Sequence, residues 1–456
     1  MIKHGIRLAS ATALALIPAI MAAPASVASP AVAGPARVTA SAPVAWVVSQ
    51  SVPSATKGMV TPFNTATNKV IRRIPVSRNA IAVALAPDGR TAWVALNSVG
   101  LDGHGEVVPV STSTYHVGKP VKVASILPNT MVITPDGKTL YVGDWDSGTV
   151  TPVHTATGTA GRPIKTGANP AAVSMAVTPD GRTVYVANGE PHGTVTPIDT
   201  TTNTAGKPIP IRHAAFSLWP SLMVISPDGK RLYVAGNTTL TPIDTATNTA
   251  GKNIKVGAYP FAIVITPDGK TAYVLNLAQG VPGKGTVTPI STATNIAGKP
   301  IPIKHAAFPL AANLLVITPD GKTIYAAGST TLTPIDTATN TALPAIRVAP
   351  RHGFDTAVAI TPDGRTIYVV GEFASFTRGY IVPVSTATGA VGKAIVVRGF
   401  PGLMAFTPDS KTLYVLRAGG SPAQLPQDVI PVSTATNTVG RAIDTGLQPV
   451  AIAISR

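Results

Sequence analysis

The chain contains no cysteine. That excludes disulfide bridges, thiolate metal sites, cysteine nucleophiles and a lipid-modified N-terminal cysteine. Charged residues are scarce, 12% of the sequence, against roughly 25% in an ordinary globular domain. Aromatics make up 5%, too few for the stacking platforms on which single-stranded nucleic acids bind, so nucleic acid is not an expected partner. Past Ala23 no segment is long and apolar enough for a transmembrane helix of about 20 residues. No G-x-S-x-G elbow, phosphate-binding P-loop or H-E-x-x-H helix is present, so no strong catalytic motif marks an active site.

Thr, Pro, Gly and Val take the place of the missing charge, with 41 Gly and 43 Pro in 456 residues. This composition favours strands and turns over helices. The first residues read as an export signal. Lys3 and Arg7 form a basic start, Leu8 to Ala23 is apolar, and small residues ending at Ala28 or Ala33 fit a cleavage site. Residues 1–33 are therefore expected to be a signal peptide, 34–43 a linker, and the protein secreted. The formal charge is +16, or +14 without Lys3 and Arg7. A basic secreted protein is drawn to anionic polymers such as those of a cell wall.

The sequence is dominated by two alternating markers. Pro-Asp-Gly starts at Pro87, Pro135, Pro179, Pro227, Pro267, Pro319 and Pro362, with a Pro-Asp-Ser variant at Pro408. Between these stand nine relatives of "TPIDTATN", with their Pro at 62, 109, 152, 197, 242, 289, 334, 383 and 431. Self-similarity at 40–52 residues points to the blades of a propeller. In one unit, "AIVIT" (262–266) is an apolar inner strand and Pro-Asp-Gly a tight turn. "TAYVLN" (271–276) is then a second strand, "GTVTPIS" (285–291) a third and "KPIPI" (299–303) a fourth. Proline inside the third strand removes a ladder hydrogen bond, so a bulge or an unpartnered nitrogen is expected there. "GLQPVAIAISR" at the C-terminus supplies an inner strand and "PVAWVVSQ" near the N-terminus a second one. Pairing Trp46 and Ile452 in one sheet closes the ring without an open edge. The expected fold is all-β: a single propeller of four-stranded antiparallel blades over residues 44–456, nine by count, with seven or eight as alternatives.

"PDGKTLYV" followed by a "TVTPIDTATN" segment resembles the YVTN-type β-propeller repeats of secreted and surface-layer proteins, and similar repeats occur in lactonase-like propellers. The likeness covers about 44–456 and implies the fold more than any function.

Strand alternation puts the Pro-Asp-Gly and Thr-Asn turns on one face and the unlike loops on the other. Function concentrates where a rigid scaffold displays unlike loops. The variable segments carry Asp102, Glu106, Asp144, Asp146, Glu190, Asp355, Glu372 and Asp428, with His104, His192, His213, His305 and His352. "PIPIRHAAF" (208–216) returns as "PIPIKHAAF" (300–308), which places Arg212 and His213 two blades from Lys304 and His305. Those four, with Arg351, His352, Asp355, His104, Glu106, Glu190 and His192, are candidate ligand-binding residues. Asp144 and Asp146 in "GDWDSG" are a candidate pair for a hard cation such as Ca²⁺; no other cofactor is expected. Lys119, Arg162, Lys207, Lys252, Lys299, Lys393 and Arg441 follow the Thr-Asn turns and suit a diffuse grip on an anionic polymer. The reading that follows is a monomeric binding scaffold at the cell envelope, partnered by an anionic wall polymer or another envelope protein. A lactonase-, hydrolase- or lyase-type enzyme with its pocket at the variable mouth is the alternative, and a self-assembling surface-layer protein a second one. An enzyme requires two or more His or carboxylates converging on one point.

Overall fold

The computed structural model describes residues 42–50, 58–77, 79–97, 104–124, 128–144, 147–167, 172–189, 193–211, 223–277, 284–304, 314–350, 353–373, 377–418 and 426–455. Among them there is no helix, and nine antiparallel sheets of four strands each account for the strand structure. In six of the nine the outermost strand is broken into two short pieces.

The blade spanning Pro128–Lys165, the third in chain order, shows why the repeat folds this way. Its strands are Pro128–Ile133, Thr139–Asp144 and Thr149–His154, followed by the outer pieces Thr159–Ala160 and Ile164–Lys165. Each pairs antiparallel with the next outward. In the first turn Thr134 Oγ1 donates to Asp136 Oδ1 at 2.6 Å. The same oxygen accepts the Lys138 amide at 3.1 Å. Gly137 takes the left-handed conformation, φ 73°, which a glycine enters without steric cost. Thr-Pro-Asp-Gly is thus a complete turn, with each polar letter satisfied locally.

The proline of the third strand has its expected irregularity. Thr149 and Val150 pair with Lys165 and Ile164, while Val153 and His154 pair with Ala160 and Thr159. The outer strand therefore carries one extra residue and breaks opposite Pro152, where no amide is available to the ladder. The Gly161 amide donates to the Pro152 carbonyl at 2.8 Å. A Cβ on Gly161 would stand 3.1 Å from the proline ring, so the glycine permits the close pass.

The innermost strands contact one another in sequence around a closed circuit. Blade 1 is built from both ends of the chain. Val44–Gln50 pairs with Gly58–Asn64 on one side and Gln448–Ile454 on the other. Trp46 opposes Ala453 and Val47 opposes Ile452. The protein is a nine-bladed β-propeller, latched by its two tails.

The blades pack face to face, and their apolar residues interleave across each interface. One buried cluster joins Tyr273, Ile301, Leu332, Val358 and Val382 from three consecutive blades. A polar staple is added at six of the nine interfaces. The Tyr of each "YV" segment sends its hydroxyl to the Asn of the next blade's Thr-Asn turn. The pairs are Tyr141–Asn203, Tyr185–Asn248, Tyr273–Asn340, Tyr368–Asn437 and Tyr414–Asn68 at 2.6 Å, with Tyr233–Asn295 at 2.9 Å. Every one of these Asn residues is left-handed, φ 53–55°, a conformation asparagine tolerates better than most residues. Burial, chiefly, pushes the hydroxyls of Tyr141, Tyr185, Tyr273 and Tyr368 up to about 12, which keeps them protonated donors.

Two of the other three interfaces show what replaces the staple. Blade 8 has Gly389 in place of Asn, and Tyr325 donates instead to the Thr386 carbonyl at 3.3 Å. Blade 1 has Trp46 in place of Tyr, and its ring stacks on Tyr115 of blade 2, centroids 5.9 Å apart. Tyr115 holds the left-handed position, φ 59°.

Candidate functional site

The unlike loops lie at the ends of the second strands and the starts of the third, as alternation requires. One register recurs there in six of the nine blades. It is the third residue after the second-strand aromatic, which pairs with the third residue before the third-strand proline. In blade 9 it holds Arg417 opposite Asp428, and in blade 2 Leu96 opposite Glu106. Blade 8 has Gly371 opposite Tyr380, and blade 4 Asn188 opposite Thr194. This layer is where the described polar groups of the variable face are anchored.

Blade 8 supplies the most perturbed group of ionisable residues. Asp355 on the inner strand (Gly353–Ile360) opposes Gly371 on the second strand (Thr366–Phe373), and Gly371 opposes Tyr380 on the third (Arg378–Ser385). The missing side chain at Gly371 lets Tyr380 reach across it and donate to Asp355 Oδ1 at 2.7 Å. Asp355 is 4% exposed, and its Oδ2 meets no partner among the described residues. Burial raises its carboxyl to about 7, with the Tyr380 hydrogen bond opposing. Burial alone raises Glu372 to about 7. Tyr380 is driven far above the ordinary phenol range by burial and by the Asp355 charge. Phe373 packs edge-on against its ring, centroids 5.4 Å apart. The pair is a phenol donating to a carboxyl that burial pushes towards its protonated form.

The other blades lock their polar groups separately. Arg417 grips Asp428 with two parallel hydrogen bonds of 2.7 and 2.6 Å and adds a third to the Arg398 carbonyl at 3.0 Å. Asp144 is buried and accepts from the Ser147 hydroxyl, which is 2.7 Å from Thr149 Oγ1. Asn188 ties blade 4 to the preceding link: its Nδ2 donates to the Thr166 carbonyl at 3.0 Å, and its Oδ1 accepts from Thr166 Oγ1 at 3.0 Å. Asn276 donates to Thr288 Oγ1 at 3.0 Å. Glu106 is buried in register with Lys122, and His104 is exposed two residues before it.

Of the residues singled out from sequence, Glu106, Asp144 and Asp355 thus sit in this layer, in three different blades. Lys304 ends the outer strand Ile301–Lys304 of blade 6, opposite Lys284. Arg212, His213, His305, Arg351, His352, Glu190, His192 and Asp146 lie outside the described residues, as do the 1–33 leader and most of the 34–43 linker. Among the described residues no three His, Asp or Glu converge as metal ligands. For calcium, which usually takes six to eight oxygens, the Asp144 carboxylate stands beside the Ser147 hydroxyl, and its candidate partner Asp146 lies outside the described residues. Tyr380 and Arg417 are absent from the sequence-derived set. Their signal is the register itself, three residues before the strand proline or three after the aromatic.

Two open grooves lie away from this face. One of about 590 Å³ runs between blades 2 and 3 along Lys119, Lys122, Thr155, Thr157 and Thr159. Another of about 270 Å³ sits between the Pro-Asp-Gly turns of blades 6 and 7, at Asp268, Lys270 and Asp320.

No protein-family description and no curated protein matches the sequence. Solved structures do resemble the fold. One described as the eukaryotic initiation factor superposes with a TM-score of 0.62 at 12% identity, covering 91% of this chain and 98% of that one. Dihydro-heme d1 dehydrogenase NirN, in complex with DHE, gives 0.55 at 16% identity, over 80% of this chain and 76% of its own. Hydrazine synthase of Kuenenia stuttgartiensis gives 0.45 at 23% identity, over 67% and 95%. At these identities the likeness carries the propeller fold alone, a fold that hosts enzymes and non-enzymes alike.

Proposed function

We propose that this protein is a secreted binding scaffold of the cell envelope whose ligand is an anionic wall polymer. The observation that carries the reading is the dispersal, among the described residues, of the polar groups at the variable rim. Asp144, Asp355 and Asp428 belong to three blades, and each is engaged by a partner from its own blade: Ser147, Tyr380 and Arg417. Groups locked in this way stiffen the rim and do not meet around a common reacting atom. The basic, apolar leader supports export, and the +14 charge remaining without its two cations supports an anionic ligand. The YVTN-type repeats that the sequence resembles occur on secreted and surface-layer proteins, in keeping with this location.

The test is retention of the purified protein on isolated bacterial cell wall, before and after the phosphate polymers are extracted. The reading requires retention on intact wall and its loss after extraction. Absence of retention, or equal retention on stripped wall, contradicts it.

The Asp355–Tyr380 pair favours a second reading, an enzyme using a carboxyl near neutrality as acid or base. Turnover of a lactone or ester, abolished by Asp355→Asn, would establish it.

A further inference from the structure

The excess positive charge is confined to one part of the wheel. The described outer stretches of the nine blades, 69–76, 118–123, 159–166, 204–211, 249–256, 296–304, 341–348, 390–398 and 438–445, hold sixteen Lys and Arg and one acid. The rest of residues 44–456 holds seventeen Lys and Arg against nineteen acids. So the remainder of the sequence is close to balanced, and the outer stretches carry the whole surplus. The one acid, Asp444 of blade 9, is paired with Arg73 of blade 1 at 2.9 Å.

The cations of the repeat turns are arranged differently. Lys138, Arg182, Lys230, Lys270, Lys322 and Lys411 each stand 3.4–4.0 Å from the Asp of their own turn. Lys119, Lys122, Arg162, Lys165, Lys252 and Lys255 on the perimeter are exposed and have no acid on their own segments. Lysines on a sheet edge also deter edge-to-edge pairing, but one per edge would do that. Here blades 2, 3 and 5 carry a second cation three residues on, and from blade 2 to blade 7 the outer strand of each blade lies beside the outer piece of its successor. Between blades 2 and 3 that junction is the groove of about 590 Å³, with Lys119 and Lys122 on one wall and the Thr155, Thr157 and Thr159 hydroxyls on the other. The blade 3 turn also opens with exposed His154 where blades 4, 5 and 7 have Asp199, Asp244 and Asp336.

We propose that the circumference of the ring, entered at the groove between blades 2 and 3, is the docking track of a linear phosphodiester polymer, an inference that rests on the anionic-polymer reading above. Lysine ammonium groups act as point charges towards phosphate, and the Thr157–Thr159 hydroxyl pair, 2.7 Å apart, keeps one proton to donate to a free phosphate oxygen, while Thr155 donates to the Gly137 carbonyl. A sugar-acid polymer would be better matched by planar Arg forks, and single-stranded nucleic acid by exposed aromatics.

The experiment compares two sextuple variants of equal charge on a surface coated with poly(glycerol phosphate). One converts Lys119, Lys122, Arg162, Lys165, Lys252 and Lys255 to Gln. The other converts the six turn cations named above to Gln. Thermal melting checks that both are folded. The perimeter variant is expected to bind at least about thirtyfold more weakly than the parent, and the turn variant within about threefold of it. Equal weakening in the two would reduce the effect to net charge and overturn the inference, leaving the anionic-polymer reading intact. Parent protein that binds polygalacturonate or single-stranded DNA as tightly as poly(glycerol phosphate) would overturn the ligand class. Parent protein that binds neither the phosphate polymer nor cell wall would instead overturn the underlying reading.

Discussion

Tyr414 of blade 9 donates its hydroxyl to Asn68 Oδ1 of blade 1 at 2.6 Å, although 346 residues separate them in the chain. The same bond joins neighbouring blades only 62 residues apart, as in Tyr141–Asn203. The seam where the chain closes is therefore held by the device used inside the ring, and the "YV" and "TN" letters of the repeat are the two halves of that device.

Tyr414→Phe removes the donor and leaves Asn68 Oδ1 without this partner, at a cost of about 0.5–1.5 kcal/mol in chemical denaturation. Tyr233→Phe, within the ring, is expected to cost a similar amount. A seam variant with no effect would show that this bond contributes nothing to closure.

The asparagines have two roles, and two substitutions separate them. Asn203 accepts the Tyr141 hydroxyl and sits at φ 53°. Asn203→Gly loses the bond and keeps the conformation. Asn203→Ala loses both and adds roughly 1 kcal/mol of left-handed strain. Alanine must therefore melt lower than glycine; the reverse order would contradict the strain argument.

Trp46 and Tyr115 replace the Tyr–Asn pair at the blade 1–2 interface. Trp46→Tyr combined with Tyr115→Asn should restore the hydrogen-bonded staple. Measured as a double-mutant cycle, the pair should show a favourable coupling of about 0.5–1.5 kcal/mol, with each single change destabilising. Simple additivity would mean that the interface does not use the staple geometry.

Asp355 gives the fold an unusual pH response. Unfolded, its carboxyl titrates near 3.8; folded, near 7. Between those values the folded chain retains a proton that the unfolded chain has released, so stability declines as pH rises from about 4 to about 7 and the loss is complete above that. Glu372 acts in the same direction. The turn carboxylates oppose it at the acid end. Asp136, held low chiefly by the Thr134 hydroxyl, adds stability above its unfolded value that is lost as pH falls through its lower folded one. Asp355→Asn keeps an acceptor for Tyr380. It should flatten the decline between pH 4 and 7 and raise stability at pH 8 by roughly 1–3 kcal/mol. An unchanged pH profile would place the titration elsewhere.

The architecture was legible because eight of the nine blades carry both turn markers. Their alternation assigned the strands, the third-strand proline announced the break opposite Pro152, and the incomplete units at Trp46 and Ile452 announced the latch. Partner choice was hidden. Every unit holds both a Tyr and an Asn, or their substitutes, so spacing cannot show that Tyr141 bonds Asn203 and not the Asn-equivalent Gly158 of its own blade. At the variable rim the face was legible but the depth was not. Asp355 reads as a loop residue beside Arg351 and His352, and only the strand register reveals Gly371 as the opening through which Tyr380 reaches it. The charged perimeter was half visible. Seven cations after the Thr-Asn turns stood out, but the outer-strand geometry was needed to set them apart from the turn cations that have an acid beside them.

The most direct test of the binding account is the salt dependence of retention on isolated cell wall. An interaction made by exposed cations must weaken as the screening length falls from about 10 Å at 0.1 M salt to about 3 Å at 1 M. The account predicts full retention at low salt and release well before 1 M. Retention unchanged across that range would contradict it.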